Sequence, residues 1–180
     1  LNVANAFMAM TTRMMSDPTH LAKAQVELWQ SYVGLWQSTT ARFFGGESET
    51  VAAPESDDRR FRDSEWDENP LFDYIKQSYL LTSRWMIDTV RTVDGLDQET
   101  AQKVDLYTRQ LVDAMAPSNF VMTNPEVLRA TIESKGENLV NGLKNLLDDM
   151  ERGKGRLHIK MSDDEAFDVG VNIAVTPGKV

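Results

Sequence analysis

A mainly α fold, an irregular assembly of helices followed by one short strand, is what this chain predicts, and three observations carry the expectation. Cap-plus-proline pairs at Asp17-Pro18, Asn69-Pro70 and Asn124-Pro125 each set a side-chain acceptor ahead of a residue preorganised for the first helical turn. Apolar residues recur at three- and four-residue spacing through most of the 180 residues. Strand-like alternation is confined to Leu157, Ile159 and Met161, set against His158 and Lys160.

The first predicted helix runs from Leu1 to Met15, with Val3, Phe7, Met10 and Met14 on one stripe and Arg13 its only charge. Asp17-Pro18 opens a second helix to about Phe44, whose Leu21, Leu28, Trp29, Tyr32, Leu35, Trp36 and Phe43 are expected to line one face. GGESETVAAPESDD, Gly45 to Asp58, combines glycine, proline and carboxylates without periodicity and reads as an acidic flexible linker. Residues 1–44 would then form an amphipathic arm, residues 59–153 a helical domain and residues 154–180 a connector.

Within that domain, Asn69-Pro70 starts a helix to about Val93, and its middle, Tyr79 to Ile87, is apolar on more than one face, as in a central helix. Asp97 caps the next, which carries Val104, Tyr107, Leu111 and Met115 on one stripe until Pro117 prevents continuation. Asn124-Pro125 opens a short helix to about Glu133. Another, from about Glu137, places Leu139, Leu143, Leu146, Leu147 and Met150 toward a core before Gly153 supplies a stop. After the strand, Ser162-x-x-Glu165 matches a capping box, and Thr176-Pro177-Gly178 forms a turn with no partner in view, which reads as a domain cut. No internal repeat is found.

Composition narrows the function. Hydrophobic residues at 41% and charged residues at 26% are ordinary for a soluble globular protein, and no apolar run approaches the ~20 residues of a spanning helix. The absence of cysteine excludes disulfides, thiolate nucleophiles and Cys-ligated metal in this chain, and agrees with a reducing cytoplasm. Net charge is −9, concentrated in residues 45–68, where nine carboxylates face three arginines. With no basic stripe, nucleic acid is not the expected partner.

Catalytic patterns are missing. There is no G-x-S-x-G or G-x-C-x-G elbow, and His20 and His158 belong to no motif and read as surface or packing residues. Gly153-Lys154-Gly155 and Pro177-Gly178-Lys179 lack the spacing of a phosphate-cradling loop. Asp57-Asp58, Asp148-Asp149 and Asp163-Asp164 are adjacent pairs that do not face one another on a helix and read as solvated. No catalytic, cofactor-binding or metal-ligating residue is therefore assigned. The surviving candidate is adhesive: Phe7, Met10, Met14, Leu28, Trp29, Tyr32 and Trp36 combine amphipathic aromatics with adaptable methionines suited to a granule or partner contact. The competing explanation is that these side chains pack on one another or on the rest of the domain.

Three long stretches carry a resemblance: DRRFRDSEWDENPLFDYIKQSYLLTSRW (Asp58 to Trp85), LYTRQLVDAMAPSNFVMTNPEVLRATIESKGENLVNGL (Leu106 to Leu143) and EAFDVGVNIAVTPGKV (Glu165 to Val180). From Arg59 onward the chain resembles the N-terminal domain of class I polyhydroxyalkanoate (poly-3-hydroxybutyrate) synthases. The resemblance implies a parent acyltransferase with an α/β-hydrolase domain and a Cys-Asp-His triad beyond Val180, extending polyester from short-chain (R)-3-hydroxyacyl-CoA and releasing CoA. None of those catalytic residues falls in this chain. The resemblance further implies a cytoplasmic location at polymer granules, no cofactor, and a region serving granule attachment, homodimerisation and support of the catalytic domain, with phasin-type granule proteins as further partners. Residues 1–44 are expected to lie outside the strong match and to look phasin-like. The alternatives are a free-standing phasin-like granule coat and a self-contained hydrolase using Ser or Asp chemistry.

Overall fold

The computed structural model describes residues 2–153. Seven α-helices occur there: α1 (Val3–Ser16), α2 (Pro18–Phe43), α3 (Glu65–Glu68), α4 (Pro70–Arg91), α5 (Gln98–Ala114), α6 (Pro125–Glu133) and α7 (Glu137–Arg152). Short 3-10 turns occupy Arg59–Phe61 and Pro117–Asn119, and no strand is present among the described residues. The predicted strand at Leu157–Met161, the capping box at Ser162 and the turn at Thr176 lie outside them.

The helix starts follow from local chemistry. Asp17, Asn69 and Asp97 accept hydrogen bonds from the backbone N–H groups of His20, Leu71 and Thr100 at 3.0–3.1 Å. Asn124 accepts likewise from Glu126 at 3.1 Å. Each satisfies a donor that the first helical turn leaves without an internal partner. Helix α2 ends in a left-handed glycine, Gly45 (φ +76°), with Gly45 N–H donating to Arg42 O and Gly46 N–H to Ala41 O at 3.0 and 2.9 Å. That paired arrangement closes the last carbonyls, and it fixes where the following segment departs.

Two compact units divide the chain, Leu1–Arg129 and Ala130 onward. In the first, α4 is the central helix, packed against α2, α3, α5 and the Pro117–Asn119 turn, while α1 lies against α5 and α2. Its core gathers Phe61, Trp66, Phe72, Leu80 and Ala52, backed by Ile75, Tyr79, Leu81 and Leu128. Phe61 and Phe72 both meet the Trp66 ring edge-on, at centroid distances of 5.0 and 5.9 Å, the arrangement favoured by aromatic quadrupoles.

The structure differs from the sequence reading at residues 1–58. In place of an arm on a loose spacer, α1 and α2 belong to the first compact unit, with Ala6 and Leu35 fully buried. The acidic segment is tied down as well: Val51 N–H and Ala52 N–H both donate to Gln77 Oε1 at 2.8 and 3.0 Å, and Ala52 is buried in the core cluster. Composition reports that a segment has no periodicity; it does not report that a glutamine elsewhere can hold its backbone.

Helix α5 buries Thr100, Val104, Thr108 and Val112, a strict four-residue repeat. Tyr107, Leu111 and Met115, predicted on the inner stripe, are exposed instead. Threonine suits an inner stripe because its methyl group can pack while its hydroxyl can bond the helix backbone. In the second unit, α6 ends with Lys135 in the left-handed region (φ +51°) and Gly136 N–H bonded to Thr131 O at 2.9 Å, leading into α7. Leu139, Leu143, Leu146, Leu147 and Met150 of α7, predicted to enter a core, are all exposed, and α7 has no buried residue. Amphipathic spacing marked the stripe correctly but does not supply a surface to bury it.

Candidate contact surface

The seven candidate residues separate into two groups. Phe7, Met10 and Met14 on α1 and Leu28 and Tyr32 on α2 are half-buried. The Tyr32 hydroxyl lies 2.6 Å from Thr82 Oγ1 and donates to Ser78 O at 3.2 Å, and Trp85 Nε1 donates to Ala24 O at 3.0 Å. Those contacts bind α2 to α4. Trp29 and Trp36, by contrast, are 66% and 65% exposed. One residue along a helix rotates a side chain by about 100°, so Trp29 and Trp36 point away from the face that Leu28 and Leu35 bury. Val26, Val33 and Phe43 share their exposure, and the sequence reading missed both valines because it merged two stripes into one.

A polar cluster anchors the end of α2. Arg42 Nη1 meets Asp73 Oδ2 at 2.9 Å, and its other guanidinium nitrogen donates to the carbonyl of Asp67. Lys76, only 1% exposed, places Nζ 2.5 Å from Asp67 Oδ1, 2.9 Å from Asp73 Oδ1 and 3.0 Å from Trp66 O. Gln77 Nε2 donates to Asp73 Oδ2 at 2.8 Å while its Oε1 holds Val51 and Ala52. A buried ammonium is tolerated here because each of its charges and protons meets an acceptor. Sequence reasoning found no signal for this network, since Asp73, Lys76 and Gln77 sit at ordinary helical spacing.

Several other carboxylates sit in ion pairs. The Arg60 guanidinium beside Asp58 holds its carboxyl below the usual range and also reaches Asp113 and the Tyr79 hydroxyl, at 2.9 and 2.8 Å. Arg129 lowers Asp63, and Arg109 lowers Asp105, which Arg91 also contacts at 2.8 Å. Burial pushes the Tyr79 phenol up. Carboxylates held ionised by arginines are poor proton donors at neutral pH. His20 is exposed at the start of α2, and His158 lies outside the described residues. No described helix is long and apolar enough to cross a membrane.

Fold and surface together define a helical scaffold that presents an apolar helix face. Residues 57–180 match the family described as Poly-beta-hydroxybutyrate polymerase (PhaC) N-terminus, and the chain belongs to that family. It is 48% identical over 166 residues to a poly(3-hydroxyalkanoate) polymerase of Methylorubrum extorquens, a match covering 92% of this chain and 27% of that protein. Against the poly(3-hydroxyalkanoate) polymerase subunit PhaC of Rhizobium meliloti (strain 1021) it is 42% identical, with the same coverage of each. The corresponding subunit of Cupriavidus necator is 36% identical over 91% of this chain and 26% of its own length. The chain thus spans about a quarter of the relatives it matches. A match covering 92% of the chain necessarily includes all of α2, so the similarity is not confined to the part after Arg59 as the sequence reading expected. No solved structure matches.

Proposed function

We propose that this chain is the non-catalytic N-terminal part of a cytoplasmic polyhydroxyalkanoate polymerase, which holds the enzyme at the polymer granule and supports its catalytic domain and its dimer. The carrying observation is the pair Trp29 and Trp36, exposed on a helix that a buried ionic cluster fixes to the domain. Rigid exposed tryptophans favour contact with an apolar surface while little side-chain freedom is lost on binding. The chain has no cysteine to accept an acyl group, which is why the chemistry is assigned to the part of the polymerase outside it.

Two measurements test the reading. Incubated with 3-hydroxybutyryl-CoA, the chain is expected to release no CoA above background; steady turnover would overturn the non-catalytic assignment. Trp29→Glu/Trp36→Glu is expected to reduce co-sedimentation with polymer granules at least tenfold while the circular dichroism spectrum is retained. Unchanged co-sedimentation would remove the tryptophans from the contact. Similarity to polymerases through α2 speaks against a free-standing phasin-like coat.

A further inference from the structure

One cavity of the first unit is lined by uncharged side chains alone. It encloses about 250 Å³ where α2, α4 and the end of α5 meet, with apolar walls from Met86, Val112 and Met115 and hydroxyls from Tyr32, Ser78, Tyr79, Thr82 and Ser83. Four of these hydroxyls are committed within the protein. Thr82 Oγ1 donates to Ser78 O and Ser83 Oγ to Leu80 O, at 2.9 and 3.0 Å. The Tyr32 hydroxyl lies against that of Thr82, and the Tyr79 hydroxyl donates to Val112 O at 3.3 Å while accepting from Arg60. Ser78 is the exception: its oxygen is buried and meets no partner among the described residues. A polar group in that state has lost water without gaining a hydrogen bond, so a ligand that supplies one is favoured.

We propose that this cavity binds a neutral aliphatic ester, with its alkyl part against Met86, Val112 and Met115 and its carbonyl oxygen accepting from the Ser78 hydroxyl. One movement is required. The Ser78 oxygen is closed off from solvent, and a turn about the Cα–Cβ bond to another staggered position presents the hydroxyl to the cavity that Ser78 already lines.

Three features select the ligand class. No cation lines the cavity, so a carboxylate or phosphate would lose its hydration without gaining a counter-ion. The volume falls just under the ~300 Å³ at which pockets begin to hold drug-sized molecules, which suits a small ligand or one segment of a longer chain. The carbonyls at the cavity are already engaged, Ser78 O by Thr82 and Tyr32 and Val112 O by Tyr79. An amide would therefore bury N–H groups without a partner, whereas an ester brings acceptors only. The two methionines, unbranched and adaptable, accommodate alkyl groups of different shape. Neither Trp29 nor Trp36 lines this cavity, so the inference stands whether or not the tryptophans touch a granule.

The test is NMR of the full 180-residue chain, labelled at its nine methionine methyls and titrated with methyl (R)-3-acetoxybutyrate, an uncharged ester with no donor. The Met86 and Met115 resonances are expected to move with a dissociation constant on the order of a millimolar, as befits so small a ligand. Met8, Met15 and Met122, exposed and outside the lining, are expected to stay in place. Ser78→Ala is expected to raise the dissociation constant at least threefold, and the free 3-acetoxybutyrate anion to bind at least tenfold more weakly than its methyl ester. Stationary Met86 and Met115 signals, equal movement of all nine, undiminished binding by Ser78→Ala, or an anion that binds as well as the ester would each overturn the proposal. Glycerol triacetate supplies the second arm: the tighter of the two esters names the source, a polyester segment or a glyceride. Trp29→Glu/Trp36→Glu separates this inference from the broader function, since the ester shifts are expected to persist in that variant. Granule binding by the parent chain without ester shifts sinks the cavity alone, and ester shifts without granule binding sink the attachment alone.

Discussion

Asp73 is where the most structure depends on a single side chain. Its two oxygens serve Arg42 of α2, Lys76 and Gln77 of α4, so its removal leaves an almost wholly buried ammonium with only the exposed Asp67 carboxylate as counter-ion. Asp73→Ala is expected to destabilise the chain by about 3 kcal/mol, measured by urea denaturation, because breaking one side of a buried ion pair leaves the other under-compensated. A loss under 1 kcal/mol would mean that exposed Asp67 suffices for Lys76. Nothing in the sequence distinguished this aspartate from its many neighbours. Periodicity assigns apolar residues to faces; it is silent about which charges will be enclosed, since that depends on helices brought together from far along the chain. Trp66 was likewise passed over, lying in a run of carboxylates, although it is among the most completely buried side chains.

At the level of the helix, starts and stops were readable and orientation was only partly so. The cap-plus-proline pairs and Asp97 marked real helix starts because their chemistry is local. Inner faces were legible on α4, whose mixed apolar middle does lie centrally, but not on α5, where threonines displaced larger residues from the interior. Helices α4 and α7 illustrate the difference between an apolar position and a buried one. Leu80→Ala is expected to cost 2–5 kcal/mol, whereas Leu143→Gln on α7 should change stability by no more than about 0.5 kcal/mol. Thermal denaturation of the two variants checks the contrast; equal losses would show that the α7 stripe is covered in solution.

For the whole molecule, acid is the informative perturbation. Asp58, Asp63 and Asp105 are held below their ordinary range by hydrogen bonds from Arg60, Arg129 and Arg109. A carboxylate with a depressed folded-state pKa adds stability above its unfolded value, and that contribution disappears as pH falls through the folded value. The midpoint temperature is therefore expected to stay level from neutrality to about pH 5 and to decline below about pH 4, where unfolded aspartates begin to take up protons. A midpoint that rises in acid would contradict the sign. The family relationship was legible from the long motifs, while the attachment of residues 1–58 to the first unit was not. That attachment depends on Gln77, Tyr32 and Trp85 meeting backbone atoms remote in sequence.

The double grip of Gln77 on Val51 and Ala52 has a practical corollary for engineering. With the chain already leaving α2 at Gly45, the stretch from Gly46 to Thr50 is a strap of fixed length, held at both ends and also at Glu49, whose carbonyl accepts from the Ser38 hydroxyl at 2.7 Å. Extra residues spliced between the exposed Glu47 and Ser48 would bulge outward, whereas deletions there would drag one fastening loose. A fusion site or affinity tag belongs in that short span and not one step later.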